Sequence, residues 1–118
     1  MEQMRVLISV ERRHRTYGEA IAEAIGALRP RLQVSVAAPE SFEEELTRLR
    51  PEVVVCDRPD PAESDDALAW VEFFVDADRP SEVRVGSRRR EIMNPTFIEL
   101  LAVVDEAWTL ARAMPVVA

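Results

Sequence analysis

Leu49-Arg50-Pro51-Glu52-Val53-Val54-Val55-Cys56-Asp57-Arg58-Pro59-Asp60-Pro61 is the stretch that decides how this chain folds. Pro51 ends any helix before it, since proline lacks an amide hydrogen and disfavours helical backbone in the preceding residue. Val53 to Cys56 is an unbroken apolar run, the pattern of a strand covered on both faces in a parallel sheet. Asp57 closes the strand, and Arg58-Pro59-Asp60-Pro61 makes a turn.

The same grammar recurs upstream. Arg5-Val6-Leu7-Ile8-Ser9-Val10 reads as a second buried strand, the first in the chain. A polar loop, Glu11-Arg12-Arg13-His14-Arg15, leads to Thr16-Tyr17-Gly18-Glu19, whose Thr-x-x-Glu spacing predicts a capping box. Tyr17, Ala20, Ile21, Ala24, Ile25 and Leu28 follow at helical spacing, and Pro30 ends that helix. Leu32, Val34 and Val36 alternate with Gln33 and Ser35, so this strand has one exposed face and lies near an edge. Ser41-Phe42-Glu43-Glu44 predicts another capping box, opening a short helix with Phe42, Leu46 and Leu49 inward and Glu44 spaced to pair with Arg48. Right-handed crossovers then set the first strand between the second and the third.

Beyond Asp57 the alternation changes. Trp70-Val71-Glu72-Phe73-Phe74-Val75 is aromatic and β-branched, and after a turn Glu82-Val83-Arg84-Val85 alternates strictly, which predicts an antiparallel hairpin. Arg88 to Met93 extends the ribbon through Gly86-Ser87. A helix capped by Ser64 and running to Val75 also fits the first of these runs. Asn94 as N-cap, Pro95 in the first turn, and the stripe Phe97, Leu101, Val104, Trp108 and Ala111 predict a long C-terminal helix. The expected fold is an open three-layer α/β sheet of parallel order 2-1-3, extended by the hairpin and covered by that helix.

At 118 residues the chain reads as a single domain spanning 1–118, and 47% hydrophobic with 31% charged residues is a globular balance. No apolar run reaches the roughly 20 residues a bilayer needs. Met1 leads almost directly into a strand, without the apolar region and cleavage site of a signal peptide, so a cytoplasmic location is expected. The lone Cys56 agrees with a reducing compartment. The net charge of −7 lies mostly in the second half and opposes nucleic-acid binding, which calls for a basic footprint.

The segment from Leu49 to Pro61 resembles the third-strand signature of response-regulator receiver domains. That signature is a Leu-x-Pro-Asp turn, an apolar strand, the phosphoacceptor Asp, and a Pro four residues later. Asp57 and Pro61 match its last two positions, and the resemblance covers roughly residues 4–61. It implies a flavodoxin-like, receiver-like fold with Asp57 in the place of the phosphoacceptor. Receiver chemistry also needs Mg²⁺ on further carboxylates, plus a hydroxyl and a cation that hold the phosphoryl oxygens. Where the family has an acidic pair after the first strand, this chain has Val10 and Glu11, so Glu11 and Asp57 are the implied metal ligands. Magnesium is implied only if that pocket works. Ser87 takes the hydroxyl position if Val83 to Val85 is the fourth strand. The family's lysine has no counterpart, because all fifteen cations are arginine, and an Arg from Arg88 to Arg90 differs from lysine in shape and donor geometry.

Other constellations are thinner. Arg12, Arg13 and Arg15 sit at the carboxyl edge of the sheet beside a helix start, where anions bind in open α/β folds, yet no glycine-rich phosphate loop accompanies them. His14 is the only histidine and no Gly-x-Ser-x-Gly elbow is present, which argues against a hydrolase. Asp57, Asp60, Glu63, Asp65 and Asp66 do not follow calcium-loop spacing. Cys56 and the aromatic residues Trp70, Phe73, Phe74 and Trp108 read as core or interface. The expected function is therefore a non-enzymatic, phosphorylation-incompetent, receiver-like regulatory or protein-interaction domain. It would work through a protein partner or self-association by the hairpin or C-terminal helix. A small anionic-ligand binder using Arg12, Arg13 and Arg15 remains open, as does an atypical phosphoacceptor at Asp57.

Overall fold

The computed structural model describes residues 3–61, 67–74 and 78–113. Four parallel strands and an antiparallel pair make one mixed sheet. The strands are β1 (Arg5–Ser9), β2 (Gln33–Val36), β3 (Val53–Cys56), β4 (Ala69–Glu72), β5 (Ser81–Val85) and β6 (Arg88–Ile92). They lie in the order β2-β1-β3-β4-β5-β6, with β5 antiparallel to both neighbours. The helices are α1 (Arg15–Leu28), α2 (Phe42–Leu49) and α3 (Phe97–Ala113).

The central strands explain the layers. Val6, Ile8, Val53, Val55 and Val71 point to one face, where Ile21 and Ile25 of α1 and Leu100, Val103, Val104 and Ala107 of α3 cover them. Leu7, Val54, Cys56 and Trp70 point to the other, under Phe42 and Leu49 of α2. Arg29, just past α1, chelates Asp105 of α3 with two 2.8 Å hydrogen bonds. That pair ties the two helices of one layer together and holds the Asp105 carboxyl below its ordinary range.

The strand reading of residues 69–72 replaces the helix alternative there, while Ser64 and Val75 lie outside the described residues, as do Glu63, Asp65 and Asp66. β4 pairs with β3 as well as with β5, so the hairpin grows directly out of the parallel sheet. Two residues, Gly86 and Ser87, join β5 to β6, and Gly86 supplies the positive φ (60°) such a turn requires.

The helix starts differ from the sequence signals. A 3₁₀ turn over Arg12–His14 runs straight into α1, so Thr16 already lies inside the helix and Glu19 pairs instead with Arg15 at 2.6 Å. Another 3₁₀ turn, Pro39–Ser41, feeds α2 without a side-chain cap, and Arg48 takes Glu45 rather than Glu44. Asn94 sits in the left-handed region at φ 44°, turning the chain out of β6. The cap of α3 is Thr96: its amide donates to Glu99 Oε1 at 3.1 Å, and the Glu99 amide donates to Thr96 Oγ1 at 3.2 Å. The deepest stripe of α3 is correspondingly rotated to Leu100, Val103, Val104 and Ala107, with Phe97, Leu101 and Trp108 at its margins.

α1 lies unusually close to the end of β1. A Cβ on Gly18 would come within 2.8 Å of Val10 Cγ2, whereas one on Gly26 of the same helix meets nothing within 4 Å. Alanine should therefore act with opposite sign at the two positions. Gly26→Ala is expected to raise unfolding stability by about 0.5–1 kcal/mol. Gly18→Ala is expected to lower it, because overpacking costs about 1–3 kcal/mol. Urea melts of the two variants check the pair, and a stabilised Gly18→Ala would contradict the close approach.

Candidate functional site

The carboxyl ends of the parallel strands converge on Asp57. Asp57 leaves β3 in the register position next to Phe73, whose amide donates to the Cys56 carbonyl at 2.7 Å. Around Asp57 a cleft of about 300 Å³ is lined by Val10, Glu11, Arg13, His14, Phe73, Phe74 and Arg79. The 3₁₀ turn before α1 brings Arg13 and His14 to it. The segment before β5 brings Arg79, whose guanidinium lies 3.9 Å from the centre of the Phe74 ring.

Several side chains at and just behind the cleft are held by contacts of their own. Glu11 is bound by Arg13 at 2.7 Å. Phe73 is buried and stacks on Tyr17, with ring centres 5.7 Å apart. Ser81 is fully buried, and its hydroxyl accepts the Phe74 amide at 3.0 Å. Cys56, directly before Asp57, is fully buried, and burial pushes its thiol up to about 12, so it stays protonated at neutral pH. These groups shape the cleft without leaving an activated nucleophile in it.

The sequence-derived candidates scatter. Glu11, Arg13 and Asp57 do share the cleft. Arg12 and Arg15 instead line a separate cleft of about 610 Å³ toward β2, where Arg12 pairs with Glu40 and Arg15 with Glu19. The three arginines therefore do not close on one anion near Asp57, because successive residues of a helical turn point in different directions. Ser87 does not stand at the hydroxyl position. β5 runs antiparallel, so its far end pairs Val85 with Ala69 at the start of β4, and Ser87 emerges at the amino edge. Of the Arg88–Arg90 run, Arg90 is held by Glu106 at 2.9 Å and Arg89 lies 3.4 Å from Asp60. None of the three lines the Asp57 cleft.

A magnesium ion would find a poor donor set in this cleft. Glu11 and Asp57 are two carboxylates, one of them already engaged by Arg13, and a hard cation needs six or more oxygens from protein and water. Among the described residues no group of three His, Cys, Asp or Glu side chains converges as metal ligands. The described residues at this cleft do not fit a resident magnesium site.

Arg79, Phe73, Phe74 and Ser81 were missed by the reading of residues alone. The signal was available: a hairpin returns the residues before its second strand to the edge where the first strand ended. Among the described residues no helix is long and apolar enough to cross a membrane. Comparison with protein-family models, with curated proteins and with solved structures finds no match to the chain.

Beside the cleft, Glu72 of β4 faces Glu82 of β5 in direct register. Burial, and secondly the Glu82 charge, raise the Glu72 carboxyl above its ordinary range. The folded state thus binds this proton more tightly than the unfolded chain does. Stability is lost as pH rises from the ordinary glutamate range through the raised value, and the full penalty remains at neutral pH. Glu72→Gln is expected to raise the melting temperature at pH 7, with the gain vanishing at acidic pH below the ordinary glutamate range. A pH series of thermal melts reads this directly, and a gain independent of pH would disprove an origin in the Glu72 charge.

Proposed function

We propose that this chain is a non-enzymatic, receiver-like regulatory or protein-interaction domain that does not take up a phosphoryl group at Asp57. The observation that carries the reading is the surroundings of Asp57. Phosphoryl transfer is almost wholly electrostatic, requiring cations and donors aimed at the equatorial oxygens. The side chains that follow β4 are instead Phe73 and Phe74. The hydroxyl that the hairpin brings to this edge, Ser81, is fully buried and accepts the Phe74 amide, and Arg79 lies over an aromatic ring. Glu11, the second carboxylate, is neutralised by Arg13. A frame with the acid in place and its helpers replaced by packing contacts favours signalling through contact over signalling through chemistry.

The test is a thermal melt with Mg²⁺, with and without beryllium fluoride as a mimic of the acyl phosphate, on the wild type and on Asp57→Asn. The expected result is no fluoride-dependent difference between the two proteins. A rise of several degrees confined to the wild type would overturn the proposal, because it would mean a working phosphoacceptor pocket. Mass spectrometry after incubation with a small-molecule phosphodonor gives the same decision independently: the wild type should gain no phosphoryl group.

A further inference from the structure

β6 ends the sheet, and its residues Arg88 to Glu91 are exposed. The two-residue turn at Gly86-Ser87 fixes which of its backbone groups are used. Val85–Arg88, Val83–Arg90 and Ser81–Ile92 are the pairs that exchange hydrogen bonds, because the pair flanking a two-residue turn is bonded and the pattern alternates along the ladder. The amides and carbonyls of Arg89 and Glu91 therefore point away from β5, toward the open edge.

The side chains of those same two residues are oddly placed within one molecule. Arg89 stands directly opposite Arg84, and Glu91 directly opposite Glu82. Like charges facing each other across an antiparallel pair are destabilising. Arg84 and Arg89 share Asp60, which relieves the first pair. No ion pair among the described residues relieves the second, and Glu82 already faces Glu72 on its other side.

From this geometry we infer that β6 is the docking edge for a second copy of the chain. The two β6 strands pair antiparallel about a two-fold axis at Arg90, joining the sheets into one. In that register Arg89 lies opposite the partner's Glu91, and Glu91 opposite the partner's Arg89. The outward backbone groups of both residues then form the bonded pairs of the new ladder. Two opposite-charge pairs arise where each molecule alone holds like-charge pairs. Arg90 meets the partner's Arg90 on the other face, and each is already chelated by its own Glu106 through two hydrogen bonds, at 3.3 and 2.9 Å. α3 packs over β4 and β5, so no helix among the described residues blocks the approach. A shift of the axis to Arg89 would oppose Arg88 to the partner's Arg90, so the charges select one register. The inference goes beyond the proposed function and does not depend on whether Asp57 is inert.

Sedimentation analysis of the wild type, Glu91→Arg and the swap Arg89→Glu/Glu91→Arg tests it. The wild type should reach a dimer within the micromolar to near-millimolar range. Glu91→Arg should weaken association by about tenfold or more, because both pairs across the axis become repulsive. Its fold should persist, since the new arginine faces Glu82 within its own molecule, and circular dichroism verifies this. The swap restores opposite charges across the axis and should recover the dimer. A wild type that stays monomeric, a dimer indifferent to Glu91→Arg, or a swap no stronger than the single variant would each overturn the inference.

Discussion

Val6, Leu7 and Ile8 of β1 and Val53, Val54 and Val55 of β3 alternate between two faces of the sheet, and neither face meets water. Burying such a side chain stabilises the fold by roughly 1.5–3 kcal/mol. Six of them together rival the whole net stability of a domain, roughly 5–15 kcal/mol. Neither face can be left open, so helices must cover both. α1 and α3 supply one cover and the two-turn α2 the other, and the rest of the architecture follows from how far each cover reaches.

α2 reaches the hairpin only at Trp70 of β4, which Phe42 meets edge-on with ring centres 6.1 Å apart. Past Trp70, that face is covered by Arg58, Asp60 and Ala67 of the β3–β4 connection. Trp70 donates its indole hydrogen to the Arg58 carbonyl at 3.0 Å, and Arg84 clasps Asp60 while donating to the Ala67 carbonyl at 3.1 Å. Arg84 and Asp60 keep only 12% and 7% of their side-chain surface, so this is a desolvated pair whose partners need each other. Beyond it the face is openly charged, with Glu82, Arg89 and Glu91 exposed. The change from unbroken apolar strands to alternating ones along the sheet marks the point where the second helical layer ends. The reversal of β5 has a chemical consequence as well: it brings Arg79 and Ser81 to the Asp57 edge and carries Ser87 and Arg88 away from it.

Two Thr-x-x-Glu segments show the reach and the limit of local signals. Thr16–Glu19 and Thr96–Glu99 have identical spacing, yet only the second forms a capping box. Before Thr96 the chain arrives from the turn at Asn94 with its amides open, so a cap is needed. Before Thr16 it arrives already wound, in the turn over Arg12–His14, where the His14 amide donates to the Glu11 carbonyl at 2.8 Å, and the first amide of α1, that of Arg15, donates to the Arg12 carbonyl. The candidate site behaved likewise. Glu11 and Asp57 line one cleft because each follows a strand whose end is legible, while Arg12, Arg13 and Arg15, close in sequence, are divided between two clefts by the pitch of a helical turn.

By itself the sequence determined β1, β2 and β3, the helices that cover them, and the edge where Asp57 lies, while it left the run that holds β4 open between strand and helix. Apolar burial is non-directional and roughly proportional to area, so its demands appear as a pattern along the chain. Only the tertiary structure decided the partnerships: Arg29 with Asp105, Arg84 with Asp60, Arg90 with Glu106, and Phe73 with Tyr17. Each joins residues 16 to 76 positions apart. Hydrogen bonds and ion pairs act over a few ångströms and depend on angle, so which acid meets which arginine is settled only when the strands have direction and register.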